Sequence, residues 1–128
     1  ANVADAALAN VSDIERLVLS GDADDDAQSV VLAGNAAAAG IAFVDADGMG
    51  DDDALDLDAS AFASALQVAS GDGDDVLRDW PSLTLTPAWP RGDVRFFGGA
   101  GNDSLSWFGG RGAATLDGGV GDDVIAFR

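Results

Sequence analysis

The stretch Gly98-Gly99-Ala100-Gly101-Asn102-Asp103-Ser104-Leu105 decides how this sequence is read. Further on, Gly118-Gly119-Val120-Gly121-Asp122-Asp123-Val124-Ile125 repeats the same pattern, G-G-x-G-x-D-x-U, where U is a large apolar residue. Upstream, Ser70-Gly71-Asp72-Gly73-Asp74-Asp75-Val76-Leu77 departs from it only at the first glycine. Between the two full matches, Gly109-Gly110-Arg111-Gly112-Ala113-Ala114-Thr115-Leu116 keeps the glycines but has Ala114 where the aspartate belongs, and Gly48-Met49-Gly50-Asp51-Asp52-Asp53-Ala54-Leu55 is a looser version. A six-residue turn that doubles back with its carbonyls inward needs positive φ at several positions, which glycine adopts without penalty. A carboxylate at its sixth position then stands at the entrance to the following strand.

Working outward, each such turn follows a short segment of alternating apolar residues. These segments are Leu17-Val18-Leu19 before Gly21, Ile41-Ala42-Phe43 before Asp45, Leu66-Gln67-Val68 before Gly71 and Val94-Arg95-Phe96 before Gly98. Period-two alternation predicts strands with one buried face, and their regular recurrence predicts stacked coils in preference to hairpins. The opposite edge is expected to carry quieter turns: 34–40 with its alanines, 59–65, 86–92 and 109–112. Residues 1–15, with Leu8, Val11 and Ile14 at every third position, read as a helix or turn capping the first coil. Residues 16–69 read as longer, irregular coils, and 70–128 as the regular repeat region with a loop insertion at 79–93. The whole chain is expected to be one domain of a larger protein.

Composition narrows the chemistry. Of 23 acidic residues only Glu15 is a glutamate, against six arginines and no lysine, for a formal net charge of −17. The chain also lacks His, Cys and Tyr. A Ser-His or Cys-His nucleophile, a Schiff base and a conventional zinc site are therefore excluded, and no enzyme activity is expected. Nucleic acid is excluded as a partner because phosphate binding needs clustered Lys and Arg, and no apolar run is long enough for membrane insertion. A core rich in alanine is expected to be thin. Paired aspartates alone are compatible with glycosidase chemistry, but a chain this short leaves no room for a substrate groove.

Stacked turns lined with carbonyls and carboxylates form an oxygen cage that suits Ca²⁺ better than Mg²⁺, which demands strict octahedral geometry and retained water. Several calcium ions are expected. A generic acidic surface, as in halophile proteins, would use Asp and Glu together and scatter them; it remains the competing reading for Asp22, Asp24, Asp26, Asp56 and Asp58. Trp80 and Trp89, beside Arg78 and Arg91, read either as a cover for the metal-free edge or as a docking patch for sugar or a neighbouring subunit.

These nonapeptides resemble the repeats-in-toxin (RTX), or hemolysin-type calcium-binding, family over residues 70–128. The resemblance implies a right-handed parallel β-roll, export by type I secretion, and side-chain ligation of calcium by Asp75, Asp103 and Asp123. It also implies carbonyl ligation from Gly71, Gly73, Gly99, Gly101, Gly119 and Gly121. Asp25, Asp53 and Asp72 join them as irregular candidate ligands, with Asp47 and Asp51 either ligating or solvated. Residues 1–69 resemble solenoid segments of bacterial surface-layer and adhesin-type proteins. The fold expected from these readings is all-β: a right-handed parallel β-solenoid (β-roll or β-helix) of about five coils with its Asp/Gly-rich calcium turns on one edge. The expected function is that of a calcium-binding structural module of a secreted, cell-surface bacterial protein, which folds on calcium binding after export. Self-assembly, other surface proteins or glycans are the partners this implies. The alternative is the C-terminal module of a type I secreted enzyme or cytolysin whose catalytic domain lies elsewhere; a glycan-binding module is a third class.

Overall fold

The computed structural model describes residues 2–21, 27–50, 53–79, 92–107 and 112–127. Asp22, Asp24 to Asp26, Asp51, the part of the expected insertion with Trp80 and Trp89, and Gly109 and Gly110 lie outside them. The strands, in chain order, are β1 (Asn2–Val3), β2 (Arg16–Ser20), β3 (Gln28–Val31), β4 (Phe43–Gly48), β5 (Leu55–Asp58) and β6 (Leu66–Ala69). They continue with β7 (Val76–Asp79), β8 (Val94–Phe97), β9 (Ser104–Trp107), β10 (Ala114–Asp117) and β11 (Val124–Phe127). A 3₁₀ helix spans Asp5–Leu8, and the α-helix α1 spans Gly34–Ala39.

The strands form two parallel sheets, one of six strands in the order β1-β3-β5-β7-β9-β11 and one of five in the order β10-β8-β6-β4-β2. Successive strands enter opposite sheets, so each strand pairs only with those two places before and after it among the described residues. This corrects the expected single β-solenoid of about five coils. The two sheets are stacked as separate layers, each with its own free edges, and are not closed into one another. The physical reason is that, among the described residues, strand pairing runs only within each sheet, and the isolated bridges, Asp72 to Ala100 and Ala100 to Val120, join one turn to the next and not one sheet to the other. The all-β expectation is corrected as well, because 34–40, read as a quiet turn, contains α1.

Between the layers lies a core built from two facing ladders. In the six-stranded sheet Val3, Val30, Leu57, Leu77, Leu105 and Ile125 stand in register. In the other, Leu17, Val44, Val68, Phe96 and Leu116 do the same. The inner members are buried, and each contributes on the order of 1.5–3 kcal/mol of hydrophobic stabilisation. Alanine supplies only Ala36, Ala39, Ala46 and Ala59 of the buried core among the described residues, which is otherwise Leu, Val, Ile, Phe and Met. The alanine-rich core expected from composition is thus corrected: much of the alanine lies in α1 and the connecting turns.

At the β1 end the 3₁₀ helix tucks Leu8 into the core and packs on α1. Leu8 is buried and Val11 packs half-buried against the core, while Ile14 is exposed. Asp5 ties the two pieces together: its carboxylate accepts hydrogen bonds from the amides of Ala33 (2.8 Å), Asn35 (3.1 Å) and Ala36 (2.8 Å). It acts as a remote N-cap for a helix whose own N-cap residue, Ala33, has no side-chain acceptor. At the other end Val120, Val124 and Phe127 are exposed on and beside the edge strand β11.

Candidate metal centre

Three turns join the five-stranded sheet to the six-stranded one along a single edge: 70–75 between β6 and β7, 98–103 between β8 and β9, and 118–123 between β10 and β11. They stack directly, with Asp72, Ala100 and Val120 linked by parallel bridges. Gly71, Gly73, Gly99, Gly101, Gly119 and Gly121 all have positive φ, between 91° and 145°. Stacking also leaves no room for side chains there. A Cβ on Gly99 or Gly101 would collide with the carbonyl oxygen of Gly71 or Gly73, and one on Gly119 or Gly121 with that of Gly99 or Gly101. The amides of Ala100 and Val120 donate to the Gly71 and Gly99 carbonyls at 3.2 and 2.7 Å.

The aspartates at the sixth position form a ladder. Asp75 Oδ1 accepts from the Leu55 amide (2.7 Å), Asp103 Oδ1 from the Asp75 amide (2.9 Å) and Asp123 Oδ1 from the Asp103 amide (2.9 Å). Each carboxylate therefore reaches back to the preceding strand entrance with one oxygen. The second oxygen is the unusual feature: Oδ2 of Asp75 and of Asp103 is buried with no hydrogen-bond partner, in residues only 0 and 1 % exposed. Asp123, in the last turn, is half-buried.

Burial pushes the Asp75 carboxyl up to about 6, against the Leu55 amide and the nearby Ser70 hydroxyl, which favour its ionised form, while the charges of Asp103 and Asp74 push the same way as burial. Burial also raises Asp103; the Asp75 amide opposes it, and the charges of Asp123 and Asp74 add to it. A buried acceptor without a donor is costly, and more so when ionised, so these oxygens call for a positive partner.

The space beside them is kept open by glycine. A Cβ at Gly98 would collide with both Asp103 Oδ2 and the carbonyl oxygen of Gly118, so those two acceptors flank the same small cradle. A Cβ at Gly118 would meet Asp123 Oδ2 in the same way. In the first turn the corresponding residue is Ser70, fully buried, whose hydroxyl donates to the carbonyl of Gly98 (2.8 Å) or Phe97 (3.1 Å). The pattern of donor-free oxygens around a glycine cradle fits a hard cation with oxygen ligands. Among the described residues no three acidic side chains come together to hold a metal, so backbone carbonyls must supply the rest of any shell.

Of the irregular candidates, Asp53 is buried at 5 % exposure and faces Gly21, where a Cβ would collide with its Oδ2. It lies on the same edge, at the turn before β5, with its own carbonyl against Gly73. Asp72 is exposed and joins the stack through its backbone only. Asp25 lies outside the described residues. Asp47 is exposed, and Ala114 opens β10 as an exposed residue.

Sequence reasoning missed a second ladder at the fifth position. Asp74 Oδ1 accepts from the Asn102 amide (2.8 Å), and Asn102 Oδ1 from the Asp122 amide (2.9 Å). These side chains reach forward to the next turn while those of the sixth position reach back, so adjacent turns are laced in both directions. The signal was present in the run of Asp or Asn before each sixth-position aspartate. Elsewhere, Arg16 pairs with Asp45 and Arg78 with Asp56 on the outer strand faces.

No family model matches the chain, and neither a curated protein nor a solved structure is similar to it. No helix among the described residues is long and apolar enough to cross a membrane.

Proposed function

We propose that this chain is a calcium-binding structural module of a secreted, cell-surface bacterial protein of surface-layer or adhesin type, one that folds on calcium binding after export and is not itself an enzyme. The observation that carries this reading is the pair of buried, donor-free oxygens, Asp75 Oδ2 and Asp103 Oδ2, in turns stacked on one edge. Asp75, Asp103 and Asp123 hold one oxygen on a backbone amide and keep the other for the cation. Gly98 and Gly118 keep the cradle open, and the positive-φ glycines turn their carbonyls into the stack. Calcium bound there supplies the positive charge that offsets carboxylates held apart from water. The oxygen-only donor set and its flexible backbone share favour calcium over magnesium. Extracellular modules bind calcium at roughly 10⁻⁴ to 10⁻³ M, far above cytosolic levels, which accords with folding outside the cell. Calorimetric titration of the whole chain with calcium chloride is expected to show binding of more than one ion in that range and none with equal magnesium. Equal response to both ions, or none to calcium, would overturn the proposal.

A further inference from the structure

Ser70 stands where the two full repeats have Gly98 and Gly118, and it is fully buried. A Cβ at this position of a turn points at the sixth-position carboxylate and, where a further turn is stacked above, at that turn's first carbonyl, as the collisions at Gly98 show. In the first turn this direction is occupied by a real side chain. Its hydroxyl oxygen lies 2.8 Å from the Gly98 carbonyl and beside the Asp75 carboxyl, whose Oδ2 has no donor.

We infer that the Ser70 hydroxyl is an oxygen ligand of the cation held at Asp75, which makes this site chemically distinct from those at Asp103 and Asp123. The inference rests on the calcium reading above. Ser70 Oγ lies against the Gly98 carbonyl oxygen and beside the Asp75 carboxyl, and the three residues are all buried. The hydroxyl has one proton and two carbonyls within reach. With its proton on the Phe97 carbonyl, at 3.1 Å, it leaves both its own lone pairs and the Gly98 carbonyl to the cation. A serine also fills the cradle that glycine leaves open, so this site replaces with a protein oxygen what the others must take from carbonyls or water.

The test is calorimetric titration of the whole chain with calcium chloride, alongside thermal melting in saturating calcium, for the natural protein, Ser70→Ala and Ser70→Gly. Alanine keeps the Cβ in the cradle and removes the oxygen. It is expected to weaken one site by about tenfold or more, leave the others unchanged, and lower the melting temperature in saturating calcium. Glycine reopens the cradle to water and is expected to weaken the same site by less. Unchanged affinity and stoichiometry in Ser70→Ala would overturn the inference, as would a lower melting temperature with no loss of affinity confined to one site, which is what a plain hydrogen-bonded serine would give. Should Ser70→Ala fail to fold in saturating calcium, Ser70→Gly decides: binding as tight as the natural protein overturns the inference, and weaker binding at one site supports it. If the natural protein itself takes up no calcium at millimolar concentration, the failure belongs to the calcium reading and is seen before any variant is made.

Discussion

Gly98 is set by what lies opposite it. Its missing Cβ leaves the cradle between Asp103 Oδ2 and the Gly118 carbonyl, so Gly98→Ala forces one of them aside. Overpacking of this kind costs about 1–3 kcal/mol, and here it removes the cation's place as well. Urea denaturation in saturating calcium is expected to show that loss, and an unchanged midpoint would show that the cradle has room for a methyl group. Asp103→Asn keeps the hydrogen bond to the Asp75 amide but removes the charge, and should weaken calcium binding at that site by about tenfold or more. Asp117→Asn serves as the control, because Asp117 is exposed and its carboxylate accepts only from the Gly119 amide, at 3.1 Å, among the described residues; equal effects of the two would refute the register of the site.

The same residues set a dependence on pH. The folded-state value of Asp75, about 6, lies above its ordinary 3.8, so without calcium the folded chain holds the proton more tightly than the unfolded one. Its contribution to stability therefore increases as pH falls through that window, by up to about 3 kcal/mol, and Asp103 acts in the same direction. In excess chelator the residual β signal in far-UV circular dichroism is expected to be larger at pH 5 than at pH 7.5. In saturating calcium the order should reverse, because protons compete for the same oxygens. A β signal in chelator that falls on acidification over this range would contradict the burial of these carboxyls.

At the scale of elements, the turns and the cap were legible to different degrees. The glycines of 98–103 and 118–123 could be read because each is needed twice, for positive φ and for the close approach of the next turn. The strands β2, β6 and β8 followed from alternation, whereas β4 starts at Phe43, so that Ile41 and Ala42 precede it. Helix α1 was hidden because Gly34 and Gly40 bracket its alanines like a turn; alanine's high helix propensity was the neglected signal. Its cap was not readable at all, since Asp5 reaches amides some thirty residues away. Burial works against the Asp5 charge, but the Ala36, Asn35 and Ala33 amides outweigh it and hold the carboxyl below its ordinary value. Asp5→Ala should cost about 1–2 kcal/mol and speed hydrogen exchange at those three amides, with turns 98–103 and 118–123 unaffected. Unchanged exchange there would mean that packing of Leu8 alone secures the cap.

For the molecule as a whole, alternation and spacing revealed strands and turns but not which strands would share hydrogen bonds. That choice is made by the backbone, which assigns alternate strands to two separate layers. The core ladders between the layers are continuous, yet the formal charge of −17 opposes compaction, and the Asp-rich turns concentrate part of it on one edge. Cations that bind only the folded stack stabilise it by linkage, by about 2.7 kcal/mol for a site at a free concentration a hundred times its Kd. The most direct test is far-UV circular dichroism of the whole chain during a calcium titration that starts from exhaustive chelation at low salt. The account predicts a disordered spectrum that converts cooperatively to β structure between sub-millimolar and millimolar calcium, with no equal response to magnesium. A full β spectrum in excess chelator, unchanged on adding calcium, would contradict it and leave the core ladders as the sole source of the fold.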